Sequence, residues 1–105
     1  MTGITDLAEL LRSMQPQLLT DEFVFCTVSE SLSNYIALNP IATFVEDEGL
    51  TLVLEKSMAE KAELTFEGTF RQITLTVHSS LEAVGLTAAI SNKLAEKGIS
   101  ANVIA

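Results

Sequence analysis

One stretch of the sequence, residues 22–28, constrains the fold more than any other because it is apolar on both faces. Its aromatic and β-branched residues are typical of a β-strand. In an extended chain Phe23 and Phe25 lie on one face, and Val24 and Cys26 lie on the other. A strand that is wet on one side alternates apolar and polar residues instead. We therefore predict a strand that is covered on both sides.

The hydrophobic spacing on either side of this strand predicts the remaining elements. Apolar residues at intervals of three and four indicate helices, and alternation indicates strands. The predicted order is a helix from Thr5 that ends before Pro16, the strand 22–28, a short helix or ordered loop over 29–40, hairpin strands 41–45 and 50–54, a helix over 57–64, a strand over 69–77, a helix over 84–97 and a strand over 99–104.

Capping and turn residues set the ends of several of these elements. Ser57 with Glu60 three residues later has the spacing of a capping box, so we expect Ser57 to cap the helix 57–64. Gly49 suits a left-handed position that closes the hairpin. Gly98 is expected to end the last helix.

The strand over 69–77 alternates cleanly and completes the fold prediction. Ile73, Leu75 and Val77 are expected to point to one side of the strand, and Gln72, Thr74 and Thr76 to the other. The strand–helix–strand segment 70–104 predicts two strands of parallel direction joined by a right-handed crossover. With the antiparallel hairpin, this gives an α+β, ferredoxin-like fold: a mixed, mostly antiparallel sheet in two layers, with the helices on one face.

Length and charge bound the class of protein. A chain of 105 residues corresponds to about one domain. Its formal net charge of −8 argues against nucleic acid and against an anionic membrane surface as partners. No apolar run approaches the roughly 18 residues of a membrane span, and the N-terminus lacks the pattern of a signal peptide. Because Cys26 is the single cysteine, we expect no internal disulfide and a cytoplasmic location.

The sequence contains no set of residues with the spacing of a catalytic site or a metal-binding site. One cysteine and one histidine cannot supply the four ligands of a zinc site. The acidic run Glu46-Asp47-Glu48 lacks the spacing of an EF-hand loop and is typical of a solvated hairpin tip. Cys26, on an apolar strand, is expected to be a buried small hydrophobe. We therefore predict a protein that is not an enzyme and that needs no cofactor.

The C-terminal third of the chain resembles an ACT domain. The resemblance lies in the strand Ile73–Val77, the helix start Val84-Gly85-Leu86, the apolar positions Ile90 and Leu94, and the sequence Gly98-Ile99-Ser100. Residues 22–77 resemble a more divergent unit of the same kind. The whole chain is most similar to small stand-alone bacterial ACT proteins of uncharacterised function.

This resemblance implies a ligand site. ACT domains bind small molecules, mostly amino acids, between two ACT units, and the loop before the Gly-Leu helix start supplies much of the site. Carried over residue by residue, the motif assigns ligand binding to His78, Ser79, Ser80, Val84, Gly85, Leu86 and Ser100. A helix N-terminus, with its unpaired N–H groups, suits a carboxylate, and a glycine lets the ligand approach the backbone.

Two departures from the family pattern accompany the resemblance. The family often has an acidic residue soon after the first strand, followed by a short loop, whereas here Ser79 takes that place and the loop is about three residues longer. The sequence also ends where a second ACT unit would continue. We therefore predict an N-terminal helix with a divergent ACT-like unit over 1–69, and the strand–helix–strand of a second unit over 70–105. The two would form one compact body, and interleaved units with the second incomplete are an alternative.

Each candidate site residue also has a purely structural reading. Gly85 can serve close packing of helix on sheet. Ser79 with Glu82 has the spacing of a capping box. His78 can be a solvent-facing residue at a strand end.

The function predicted from the sequence is a regulatory or sensor module that binds a small molecule at an ACT–ACT interface, and the resemblance implies an amino acid. It would act as a homodimer or larger homo-oligomer. The alternative is a ligand-free module that only assembles chains, through the open sheet edge or the face carrying Thr74 and Thr76. An enzyme is the third hypothesis, since a ferredoxin-like layout hosts many chemistries.

Overall fold

A computed structural model describes residues 15–75 and 85–104 of the chain. Its elements run in the order β1 (Pro16–Val28), two 3-10 turns (Leu32–Asn34 and Ile36–Leu38), β2 (Ala42–Glu46), β3 (Gly49–Glu55), α1 (Lys56–Lys61), β4 (Phe70–Leu75) and α2 (Leu86–Glu96). The helix predicted from Thr5 lies outside the described residues. The chain divides into two compact units, a central unit of residues 18–74 and a terminal unit that includes α2. The predicted boundary between 69 and 70 stays a prediction.

The four strands form one sheet in the order β2-β3-β1-β4. β3 pairs antiparallel with both of its neighbours, so that Cys26 lies opposite Leu52, and Thr43 lies opposite Leu52 on the other side. This order, with a helical connection after β1 and α1 after β3, is the split β-α-β-β-α-β arrangement of ferredoxin-like folds. The predicted α+β, mostly antiparallel fold is confirmed, with two 3-10 turns where a first helix would stand.

The core of the central unit lies between the sheet and the segments that cross it. Its fully buried side chains come from alternate positions of β1 and β3 and from α1: Val24, Cys26, Leu52, Leu54 and Ala59. Tyr35, Leu38 and Met58 pack against this cluster from the 3-10 turns and α1. On the other face of the sheet Phe23 and Val53 are also buried. The prediction that the strand at 22–28 is covered on both sides is therefore confirmed.

The terminal unit contains α2 and the residues that follow it. Leu86, Ile90 and Leu94 lie on the less exposed side of the helix, as the apolar spacing predicts. Gly98, with a φ of 71°, ends the helix: its N–H donates to Ala95, and the N–H of Ile99 donates to Leu94. These two bonds form a Schellman motif, which confirms the predicted stop.

Three sequence predictions are wrong in detail. Residues 99–104 form no strand, because within the described chain no neighbouring strand pairs with them. The N-cap of α1 is Glu55 rather than Ser57, and it makes no side-chain capping bond, since β3 runs directly into the helix. In β4, Ile73 is 45% exposed while Gln72 is half-buried, so burial at this edge strand does not follow the alternation of apolar and polar residues. No helix among the described residues is long and apolar enough to cross a membrane.

Candidate ligand-binding site

The start of α2 depends on the backbone conformation of Gly85. This residue is the N-cap, with a φ of 91° and a ψ of −7°, and its carbonyl accepts a hydrogen bond of 2.9 Å from the N–H of Ala89. A side chain at such a positive φ is strained, whereas glycine adopts it freely. The sequence motif Gly85-Leu86 therefore marks a real helix start.

This helix end has the polarity that a carboxylate requires. The first N–H groups of an α-helix have no partner within the helix, and the helix dipole adds partial positive charge there. No acidic residue occupies the first turn of α2. Leu86 is half-buried and Thr87 is exposed, so the first turn has an apolar and an open side. The arrangement could receive an anionic group next to an apolar contact.

Ser100, predicted to belong to the same site, lies at the other end of the helix. It follows the C-terminal cap Lys97 and the terminating Gly98, and it is exposed. The eleven residues of α2 span roughly 16 Å at 1.5 Å per residue. Gly85 and Leu86 are thus adjacent, whereas Ser100 is separated from them by the length of α2. His78, Ser79, Ser80 and Val84 lie outside the described residues, and their role stays a prediction.

A second polar group, not assigned by the sequence, follows β1 in the central unit. The Ser31 and Ser33 hydroxyls lie 2.9 Å apart, and Asn34 Nδ2 donates to Ser31 Oγ at 3.5 Å. Ser31 is the N-cap of the first 3-10 turn, and Glu30 precedes it; all four side chains are exposed. This polar group could have been predicted from the sequence, because a Ser- and Asn-rich segment directly follows an apolar strand.

The hairpin tip lies at the same end of the sheet as this polar group. Val28, the last residue of β1, is opposite Leu50, next to the turn between β2 and β3. Next to that turn, the hydroxyl of Thr51 on β3 donates to the carboxylate of Glu46 on β2. The tip and the loop after β1 together form a polar and acidic sheet end.

A shallow cleft of about 350 Å³ lies at the opposite end of β1 and β3 in the central unit. Four carboxylates line it, against a single ammonium group from Lys56: Asp21, Glu22, Glu55 and Glu60. This balance repels an anionic ligand. Among the described residues, no three His, Cys, Asp or Glu side chains are placed to hold a metal ion.

Burial raises the pKa of the Cys26 thiol, because the thiolate would lose its hydration among apolar side chains. A thiol of this kind is a poor nucleophile. Cys26 is packed in the core cluster with Val24 and Leu52, as the sequence predicts.

Comparison with protein-family profiles supplies the assignment. A profile described as "ACT domain" matches residues 2–71, about two thirds of the chain. The chain belongs to the ACT domain family. ACT domains are in general regulatory modules that bind small-molecule ligands. The matched range contains β1, β2 and β3, whereas the sequence resemblance is most detailed in 70–104.

One solved structure shows how far the likeness extends. A Vibrio cholerae protein of unknown function, called a possible transport protein, is 62% identical to this chain. The alignment covers 91% of this chain and 73% of the Vibrio chain, and the TM-score is 0.83. No curated protein matches the sequence.

The position of the family match draws attention to the loop after β1. β1 is the first strand of the ACT unit, and the family often has an acidic residue soon after its first strand. Glu30, two residues after β1 ends at Val28, takes this place.

Proposed function

We propose that this ACT protein is a regulatory module that binds a free amino acid and has no catalytic activity of its own. The observation that carries the proposal is Gly85, whose left-handed conformation begins α2 at the motif that the family uses for ligands. The ligand would lie at an interface between the ACT units of two copies, in a homodimer or larger homo-oligomer acting in the cytoplasm.

The chemistry of the helix start supports an amino acid rather than a neutral metabolite. The α-carboxylate would accept hydrogen bonds from the first N–H groups of α2. The predicted hydroxyls of Ser79 and Ser80, with His78, would bind the remaining polar groups, and Val84 and Leu86 would contact an apolar side chain. Ser100, at the other end of α2, would not contact the same ligand.

A thermal-shift screen against the twenty amino acids tests this proposal. A ligand that binds only the folded chain raises its stability by about 2.7 kcal/mol at 100 times the dissociation constant. We expect one amino acid, or one class of them, to raise the melting temperature in a dose-dependent way. A flat panel with well-folded protein would contradict the proposal.

Two glycines at opposite ends of the same helix locate the site. Gly85→Ala and Gly98→Ala both place a side chain at a positive φ, 91° and 71°, and should destabilise the protein by a similar amount, about 1–2 kcal/mol. Only Gly85→Ala should weaken the ligand, by tenfold or more in titration calorimetry. If Gly85→Ala binds the ligand like the unmodified protein, the assigned site is wrong.

A second function, assembly without a ligand, is favoured by the apolar side chains that the central unit exposes. Val45 is 93% exposed on β2, and Ile36 and Ile41 are also exposed. Such side chains are typical of surfaces that bind another protein. A flat ligand screen together with self-association in analytical ultracentrifugation would identify this function.

A further inference from the structure

The first half of β1 extends beyond the strand that it pairs with in the central unit. β3 pairs only with residues 23–28, and this pairing ends where Phe23 lies opposite Glu55. At Lys56 the chain leaves the sheet and enters α1. Among the described strands, none therefore continues beside residues 18–22 on the side where β3 lies. We call residues 18–22 the free edge of β1.

Alternate residues of the free edge direct their backbone N–H and C=O groups to the side where β3 lies. A methyl group on Gly49, the first residue of β3, would lie 2.6 Å from the Val28 carbonyl oxygen, so this oxygen faces β3. Each residue of a strand directs its N–H and C=O groups to one side, and successive residues alternate between the two sides. Thr20 and Glu22, an even number of residues before Val28, therefore direct theirs to the same side as Val28.

A contact on the other side of β1 agrees with this orientation. The guanidinium of Arg71 on β4 donates to the Leu19 carbonyl from Nε and Nη2, at 3.2 and 2.9 Å. The Leu19 carbonyl thus faces β4, and its neighbour Thr20 faces the opposite side. Because β3 does not extend this far, Thr20 and Glu22 have no strand beside them there within the described chain. An extended segment laid along this side would find donors and acceptors for a new strand.

The shallow cleft at the start of α1 lies against the free edge and determines which charge such a segment must carry. Asp21 and Glu22 line the cleft from β1, and Glu55 and Glu60 line it from the end of β3 and from α1. Lys56 supplies the single ammonium group. Side chains of an extended segment return to the same face at every second residue, so a basic segment brings several cations to these carboxylates.

This chain contains no segment of its own with that pattern. No two of its Lys and Arg residues lie fewer than four positions apart, the nearest being Lys93 and Lys97. Two neighbouring positions on one face of a strand are two residues apart, so no strand of this chain places basic side chains at both. A second copy also carries the same net charge of −8. The segment that fits therefore belongs to a different protein.

We propose that the free edge of β1 binds an extended, basic segment of another protein, which adds as a strand and places its Lys or Arg side chains in the acidic cleft. Main-chain hydrogen bonds hold the segment, and the carboxylates discriminate against neutral and acidic segments. The same carboxylates protect the edge against other copies of this acidic chain. The inference goes beyond the proposed amino-acid binding and does not depend on it.

Three synthetic octapeptides with a fluorescent label test the interaction. The first, called the Lys peptide, alternates Lys with Thr, the second has Glu in place of Lys, and the third is the Lys peptide with every backbone N–H methylated. Fluorescence anisotropy at about 50 mM salt would measure binding with little screening. We expect the Lys peptide to bind with a dissociation constant on the order of 100 µM or below, and the other two at least tenfold more weakly.

Two matched double variants locate the site. Glu22→Gln with Glu60→Gln removes two charges from the cleft, whereas Glu48→Gln with Glu67→Gln removes two charges elsewhere. All four side chains are exposed, so both variants should fold, which circular dichroism would check. We expect the first variant to weaken binding of the Lys peptide at least fivefold, and the second less than twofold.

Thr20 tests the main-chain contact. Thr20→Pro removes the N–H that faces the cleft, and proline is tolerated in a strand where its nitrogen faces away from the ladder. The variant should stay folded and bind the Lys peptide at least fivefold more weakly. Hydrogen exchange supplies a readout that needs no variant: the Thr20 and Glu22 amides of the unmodified chain should exchange more slowly when the Lys peptide is bound.

Each other outcome overturns the inference. If the methylated peptide bound as tightly as the Lys peptide, or if both double variants weakened binding equally, the interaction would be a general attraction between opposite charges. A chain that does not bind the Lys peptide at about 1 mM would have no site of useful affinity at this edge. Unchanged exchange of the Thr20 and Glu22 amides in the presence of a bound Lys peptide would place the peptide elsewhere.

Discussion

A methyl group on Gly49 would lie 2.6 Å from the carbonyl oxygen of Val28. Gly49 begins β3 with a φ of 142°, and Val28 ends β1, so the added methyl would meet the neighbouring strand where the hairpin turn enters the sheet. A Cβ atom at that distance from a backbone oxygen cannot be accommodated without moving a strand. Glycine is therefore needed at position 49 for two reasons: the backbone has a positive φ, and a side chain would collide with the Val28 carbonyl oxygen.

Gly49→Ala should destabilise the protein by about 2–3 kcal/mol, through backbone strain and the displacement of β1 from β3. Urea denaturation would measure the change in the free energy of unfolding. Gly68→Ala is the control, since its added methyl would meet only the Phe70 ring, at 3.9 Å, and should cost less than about 0.5 kcal/mol. If Gly49→Ala and Gly68→Ala lowered the free energy of unfolding equally, contact between residue 49 and the Val28 carbonyl would not matter for stability.

The core of the central unit should respond strongly to the loss of Leu54, which is fully buried in β3. Leu54→Ala leaves a cavity among Val24, Leu52 and Ala59 and should cost about 2–5 kcal/mol of stability. Leu18→Ala makes the same chemical change at a residue that is 52% exposed and should cost less than about 1 kcal/mol. Thermal unfolding of both variants would check this; a small effect at Leu54 would place the core elsewhere.

Phe25 and Phe70 join β1 to β4 through an edge-to-face contact, with ring centroids 5.2 Å apart and an interplanar angle of 76°. A double-mutant cycle with Phe25→Leu and Phe70→Leu should give a coupling free energy of about 0.5–1.5 kcal/mol. Chemical denaturation of the four proteins supplies the values. A coupling indistinguishable from zero would show that the rings contribute only by separate burial.

Cys26 should make stability depend on pH in the alkaline range. Burial raises the pKa of its thiol in the folded chain, so the unfolded chain loses this proton first as the pH rises. The contribution of Cys26 is fully present below its ordinary pKa of about 8.5 and decreases as the pH rises above it.

Unfolding free energies between pH 7 and 10 would test this effect in the unmodified chain and in Cys26→Ala. The two proteins share every other ionisable group, so the difference in slope belongs to Cys26. We expect the unmodified chain to lose stability more steeply, by less than about 1.4 kcal/mol per pH unit. Parallel curves would mean that the thiol is accessible in the folded state.

The sequence by itself determined the elements whose formation depends on neighbouring residues. Aromatic and β-branched residues located the second half of β1, Gly49 located the hairpin, and the helical spacing with Gly98 located α2 and its end. It also gave one part of the candidate site, the helix start at Gly85, because a glycine at an N-cap is a local signal. The ACT resemblance was likewise carried by short motifs.

Only the tertiary structure decided which strands lie at the edges of the sheet and which of their side chains are buried. Residues 99–104 have strand-like composition but form no strand within the described chain, since a strand exists through hydrogen bonds to a neighbour. Ile73 is exposed because β4 is an outer strand, and β2 became an outer strand because β3 entered the sheet between it and β1. Local preferences lie within a few residues of sequence, whereas a sheet's order depends on contacts between residues far apart, such as Cys26 and Leu52.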